Sequence, residues 1–121
     1  MLKLVKILPL AALLTAAALP SAGNASAFVA WKVTDVPWGD VLNVRKYPSP
    51  NSQKQAAYPN RTVLSMTGAC TGGVDLQDIQ GLPKWKQRQI VKGLWCQLWH
   101  DPAGNGNFKA GWVRMKFMRP L

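Results

Sequence analysis

Short runs of alternating apolar and polar residues, separated by turn-forming residues, recur along this chain of 121 residues. In such a run successive side chains point to opposite faces, which is the pattern of a half-buried β-strand. Several short strands with turns between them, in so short a chain, predict an all-β domain built as a small β-barrel. The runs cover residues 28–34, 41–45, 55–58, 61–70, 94–100 and 108–113.

The alternation also assigns side chains to faces. We expect Val29, Trp31 and Val33 to share one face, and Leu42 and Val44 to point inward. In the 94–100 run, Leu94, Cys96 and Leu98 oppose Trp95, Gln97 and Trp99. Trp31 and Trp112 are interpreted as core residues.

The first 27 residues predict a signal peptide that is cleaved on export. Two lysines near the start are followed by an apolar run over residues 7–19, which is shorter than the roughly 20 residues of a membrane-spanning helix. Residues 25–27 fit an A-x-A cleavage site, so we expect cleavage after Ala27, with cleavage after Ala25 as the alternative. The domain is then residues 28–121, located in the periplasm or secreted, with no transmembrane segment after cleavage.

Two cysteines, Cys70 and Cys96, remain in the mature domain. Export places them in an oxidising compartment, so a disulfide between them is expected. A metal site would draw on Cys70, Cys96 and His100, and no fourth ligand accompanies them. We therefore expect neither a metal nor a cofactor.

The segment from Thr71 to Gly93 departs from the strand pattern and predicts a short helical insertion over residues 74–92. Asp75 is expected to cap a helical turn, with Asp78 three residues later as its partner. Pro83 suits the first position of a second helix that Gly93 ends. The side of the sheet that carries Trp95 and Trp99 is either outer surface or covered by this insertion. We expect Trp85 to be the cover, with a ligand-binding platform of Trp95 and Trp99 as the alternative.

The composition is poor in groups for catalysis. The chain has one histidine and five acidic residues, all of them Asp. Cys96 and His100 are four residues apart, which in a strand is about 13 Å and too far for a hydrogen bond. We predict that the protein is not an enzyme.

The positive charge indicates an anionic partner. The formal net charge of +10 becomes +8 once Lys3 and Lys6 leave with the signal peptide. Basic residues among aromatics can bind single-stranded nucleic acid, but export argues against nucleic acid and favours lipid phosphates, lipopolysaccharide or peptidoglycan carboxylates. The alternative is that the charge only keeps a small exported domain soluble. The basic clusters are Lys84, Lys86, Arg88 and Lys92, and Arg114, Lys116 and Arg119.

Specific segments resemble the bacterial SH3 family, in particular exported SH3-like domains of Gram-negative bacteria. They are Val41-Leu42-Asn43-Val44-Arg45, Pro48-Ser49-Pro50, Gly68-Ala69-Cys70, Trp95-Cys96 and Gly111-Trp112-Val113. The resemblance spans roughly residues 31–120, and the 71–93 segment is longer than the usual connection. It implies a small SH3-like β-barrel over residues 28–121 and a function in binding.

These observations together predict an exported, non-catalytic SH3-like binding module. Its expected partner is a protein or a cell-envelope polymer, either peptidoglycan or another anionic surface. The candidate contact residues are Trp38, Arg45, Tyr47 and Tyr58, because the aromatics lie in the loops beside the strand of Leu42 and Val44. The alternative is a structural or assembly subunit of an envelope complex.

Overall fold

The computed structural model describes residues 29–121, so the predicted signal peptide lies outside the described residues. Within this range the chain forms strands and one α-helix, with short 3-10 turns at Thr71–Gly73 and Met115–Phe117. The helix, α1, spans Lys84–Val91. The strands are β1 (Val29–Val33), β2 (Leu42–Arg45), β3 (Lys54–Tyr58), β4 (Val63–Cys70), β5 (Trp95–His100), β6 (Lys109–Arg114) and β7 (Met118–Pro120).

All strand pairs are antiparallel and belong to one seven-stranded sheet within residues 29–121, in the order β3-β2-β6-β5-β4-β1-β7. The prediction of a mostly β domain with one short helix is therefore confirmed. Strands β3 and β7 are the two edges and do not pair with each other, so the strand pairing does not close into a complete ring.

One face of the sheet supplies the core, in the alternation that the sequence predicted. Trp31, Val33, Val44, Cys96 and Leu98 are all fully buried. The interpretation of Trp112 as a core residue was wrong. Its neighbours in β6, Gly111 and Val113, are buried, and Trp112 is half-buried on the other face, which we call the outer face.

The disulfide between Cys70 and Cys96 is present. It joins two directly opposite residues at the end of β4 and the start of β5. The backbone N–H of Trp95 also donates to the Thr71 hydroxyl, 3.0 Å away, so the start of β5 is held at a second point. In the chain-entropy model a disulfide closing a loop of this size stabilises the fold by about 3–4 kcal/mol.

The first part of the insertion is not helical, contrary to the capping expectation for Asp75. Asp75 forms an isolated bridge with Ala69, and its carboxylate accepts a hydrogen bond from the N–H of Gln77 at 2.9 Å. The following Leu76 is 1% exposed, and its N–H donates to the Gly68 carbonyl at 2.8 Å. Burial of Leu76 holds this segment as a turn against β4 instead of a free helical turn.

Helix α1 begins at Lys84, one residue after the predicted first position, so Pro83 is its N-cap residue, and the helix packs on β7 and the Met115–Phe117 turn. Its buried side chains are Gln87 and Val91. The expectation that Trp85 covers the tryptophans of β5 was wrong, because Trp85 is 65% exposed. No helix within residues 29–121 has the length and apolar character needed to cross a bilayer.

Candidate functional site

A shallow cleft of about 220 Å³ lies on the outer face of the sheet, between the loop before β2 and the loop after it. Pro37 and Asp40 line it from the first loop, and Pro50 lines it from the second. Its remaining lining includes the outward side chains of β2, β5 and β6, namely Asn43, Arg45, Trp95 and Arg114.

The order of the strands brings these side chains together. Strand β6 lies between β2 and β5, with Arg114 directly opposite Trp95 and Trp112 directly opposite Arg45. Continuing the antiparallel register by two residues sets Asn43 across from Arg114. Residues far apart in the sequence therefore form one continuous row across the sheet.

The two guanidinium groups of the cleft are held in position and carry no ion pair. Arg45 donates from Nη1 to the carbonyl of Ser52 at 2.9 Å, and the Arg114 guanidinium lies 5.7 Å from the centre of the Trp95 ring. Within the described residues the ion pairs involve Arg88 and Arg119 only. Asp40 also lines the cleft, and its carboxylate accepts a hydrogen bond from the N–H of Val41 at 2.7 Å.

This arrangement suits an anionic ligand with an apolar side. A guanidinium presents several N–H donors in a planar fork that matches a carboxylate or a phosphate. Trp95 adds a flat apolar surface, and Asn43 adds an amide that both donates and accepts. The Asn43 amide makes no hydrogen bond to the described part of the chain.

Among the residues proposed from the sequence, Arg45 lines the cleft, while Trp38 and Tyr47 lie on the two loops that border it. Trp38 occupies the tip of a turn in which the N–H of Asp40 donates to the carbonyl of Pro37 at 2.9 Å, and its side chain is fully exposed. Gly39, with φ of 81°, permits this turn, since that left-handed conformation is unfavourable for other residues. Tyr47 is 61% exposed.

Tyr58 lies apart from the cleft, on the inner face of β3. Its hydroxyl is 2.9 Å from Nδ1 of His100, whose Nε2 is 2.8 Å from Oε1 of Gln55. Because that amide oxygen can only accept, His100 donates from Nε2 and accepts the Tyr58 proton at Nδ1. The neutral imidazole, 3% exposed, thus links β3 to β5 beneath β2 and β6.

Burial raises the pKa of Tyr58, and the negative charge of Asp101 raises it further. Burial also lowers the pKa of His100, as does the positive charge of Lys109, while Asp101 acts in the opposite direction. Both shifts favour the neutral forms that this network needs. Within residues 29–121 no three His, Cys, Asp or Glu side chains are grouped so that they could hold a metal ion.

The sequence pattern did not predict that Asn43, Trp95 and Arg114 share one cleft. The alternation in β5 did place Trp95 on the outer face, and β6 treated in the same way places Arg114 there too. The strand order was the missing information, because only the insertion of β6 between β2 and β5 makes these residues neighbours.

No family model, no curated protein and no solved structure matches this chain.

Proposed function

We propose that this protein is an exported, non-catalytic binding module with an SH3-like barrel, and that it docks on peptidoglycan through the cleft of the outer face. The observation that carries the proposal is that Arg45 and Arg114 line the same cleft and form no ion pair with any other residue of 29–121. Unpaired guanidinium groups in a cleft suit an anionic ligand, because a guanidinium forms its strongest hydrogen bonds with a planar group of opposite charge.

Peptidoglycan matches the other groups of the cleft as well. Its peptide carboxylates suit the two guanidiniums, its amides suit Asn43, and the apolar faces of its sugars suit Trp95. Trp38 and Tyr47 extend this surface on the bordering loops, and Tyr58 contributes indirectly by anchoring β3.

Two features support an exported SH3-like module. The disulfide fits an oxidising compartment. Two of the segments that resemble the bacterial SH3 family, residues 41–45 and 111–113, overlap β2 and β6, which are neighbours in the sheet. One cleft between two loops, with no cluster of catalytic groups in its lining, is suited to binding.

The test is co-sedimentation of the purified protein with peptidoglycan sacculi at low and high salt. We expect the double variant Arg45→Gln/Arg114→Gln to bind at least about tenfold more weakly, since each hydrogen bond to a charged group contributes about 1.5–3 kcal/mol. The matched control is Lys86→Gln/Lys92→Gln, which removes the same charge from α1 and from the residue directly after it, and leaves the cleft intact.

Equal weakening by both double variants would show that binding follows net charge and would contradict the role of the cleft. If Trp38→Ala and Tyr47→Ala leave sacculus binding unchanged, the two loops do not extend the contact surface. Absence of sedimentation at either salt concentration would exclude peptidoglycan as the partner.

A second candidate, a structural or assembly subunit of an envelope complex, is favoured by the exposure of Trp38 and Tyr47 on the loops beside the cleft. Large aromatic side chains are enriched at protein interfaces. Cross-linking of the native protein in its own cells, followed by identification of the product, separates the two functions, because an assembly subunit gives one defined protein adduct that Trp38→Ala removes.

A further inference from the structure

A second basic surface lies on the exposed side of α1, and none of its residues lines the cleft. We call it the α1 basic face and define it as Trp85, Lys86, Arg88, Gln89, Lys92 and Arg119. Five of these residues, all but Lys86, surround a shallow depression of about 190 Å³.

The helix geometry places this face on the solvent side. Trp85, Gln89 and Lys92 are spaced by four and three residues, so they lie along one side of the helix. The buried residues Gln87 and Val91 lie on the other side and fix the helix against the sheet. Trp85 is 65% exposed, and the Lys86 ammonium lies 5.9 Å from the centre of its ring.

The charge of this face is only partly compensated. One carboxylate, that of Asp35, serves both Arg88 at 2.6 Å and Arg119 at 3.3 Å. Lys86 and Lys92 form no ion pair within the described residues. Lys32 lies directly opposite Arg119 in the pairing of β1 with β7, which adds a further cation beside the face.

We propose that the α1 basic face docks on the surface of a bilayer rich in anionic phospholipids. Lysine and arginine side chains around an exposed tryptophan match the headgroup region, where cations meet phosphates and an indole ring finds both apolar and polar surroundings. The depression on this face is shallow, so the face suits a broad anionic layer better than an extended chain. The eight residues of α1 are far too few to span a bilayer, so the helix lies on the surface.

Vesicle flotation tests this proposal with the full exported protein. The probes are vesicles of phosphatidylcholine alone and of phosphatidylcholine with phosphatidylglycerol. We expect binding only to the anionic vesicles, and binding about 25-fold weaker for Lys86→Gln/Lys92→Gln, at about fivefold for each lysine.

Trp85→Ala is expected to weaken vesicle binding by about tenfold, because the apolar surface of the indole ring no longer enters the interface. Its matched control is Trp38→Ala, which removes another exposed tryptophan. The charge-matched control is Arg45→Gln/Arg114→Gln. Both controls should bind vesicles within twofold of the unmodified protein, and thermal unfolding verifies that every variant is folded.

Equal binding to neutral and anionic vesicles would overturn the proposal, as would equal loss of binding in both charge-matched pairs. Complete competition by millimolar glycerol phosphate would assign the depression to a soluble phosphate and would also overturn it. The outcome is independent of the cleft, because Lys86→Gln/Lys92→Gln is expected to retain sacculus binding and Arg45→Gln/Arg114→Gln is expected to retain vesicle binding.

Discussion

Gly111 shows how closely β6 packs against its neighbours. A Cβ atom at this position would lie 2.6 Å from Oε1 of Gln55 and 3.1 Å from Nε2 of His100, and it would also collide with Val44. We therefore expect Gly111→Ala to lower the free energy of unfolding by about 1–3 kcal/mol, as measured by urea denaturation, because the surrounding core must shift.

Gly93→Ala is the control for this substitution. A Cβ atom at Gly93 meets no atom within 4 Å, so this variant should unfold within about 0.5 kcal/mol of the unmodified protein. If the two variants unfold at the same urea concentration, the close packing around Gly111 does not determine the stability of the fold.

His100 is the residue through which acid should destabilise the fold. Its pKa is lowered, first by burial and then by Lys109, so the folded state binds a proton less readily than the unfolded chain. The contribution of neutral His100 to folding stability is therefore complete above the ordinary histidine pKa of about 6.5. It is lost as the pH falls through the lowered pKa of the folded state. We expect a lower free energy of unfolding at pH 5 than at pH 7.5, measured in urea.

His100→Gln provides the comparison, since the chain contains one histidine. The variant should be less stable at pH 7.5, because its side chain cannot reproduce both hydrogen bonds of the ring. It should also change less between pH 7.5 and pH 5. A pH dependence identical to that of the unmodified protein would assign the acid effect to another group.

At the level of elements, α1 is held to the sheet by apolar burial more than by its ion pairs. Val91 is fully buried, so Val91→Ala should lower the free energy of unfolding by about 2 kcal/mol. Asp35→Asn breaks both ion pairs, but the Asp35 side chain is 49% exposed, and solvent screening limits the loss to less than about 1 kcal/mol. Urea denaturation of both variants gives the comparison.

Val63→Ala, the same change at a position that is 50% exposed on β4, is the control for Val91→Ala and should alter stability little. A larger decrease in the free energy of unfolding for Asp35→Asn than for Val91→Ala would show that the ion pairs contribute more than the apolar burial.

Burial tends to raise the pKa of Asp35, but the hydrogen bond and charge of Arg119 and the charge of Arg88 outweigh it and lower the pKa. Its ion pairs therefore persist above a pH of about 4 and are lost only as the pH falls through the lowered pKa.

The elements were predictable from the sequence where local pattern controls the structure. Alternation located strands β1 to β6 and gave the inward faces of β1 and β2, and Pro83 marked the start of α1 to within one residue, but β7 was not among the predicted runs. The pattern wrongly predicted a helical turn at Asp75, where burial of Leu76 holds a non-helical turn. It also wrongly predicted that Trp85 is buried against the sheet, because the buried side of the helix carries Gln87 and Val91. In both places packing against strands decides the outcome, against the end of β4 for Leu76 and against β7 for α1, and a local hydrophobic pattern does not contain such contacts.

For the whole molecule, the sequence indicated an excess of positive charge but not its distribution. The fold separates two groups of cations, which are Arg45 and Arg114 in the cleft and the lysines and arginines of the α1 basic face. The carboxylate of Asp35 lies between Arg88 and Arg119 and partly neutralises the second group only. Strand order and helix docking produce this separation, and both depend on contacts between residues far apart in the chain.

The position of β1 in the sheet has a consequence for the order of folding. Strand β1 pairs with β4 on one side and with β7 on the other, and Trp31 lies opposite Pro120. Because the chain is synthesised from its N-terminus, β1 cannot pair with β7 until residues 118–120 have been made. Pairing between strands so far apart in the sequence is slow to form. Until then Met118, fully buried in the finished fold, is absent from the core. The domain therefore remains incomplete until the residues of β7 have been synthesised and have paired with β1.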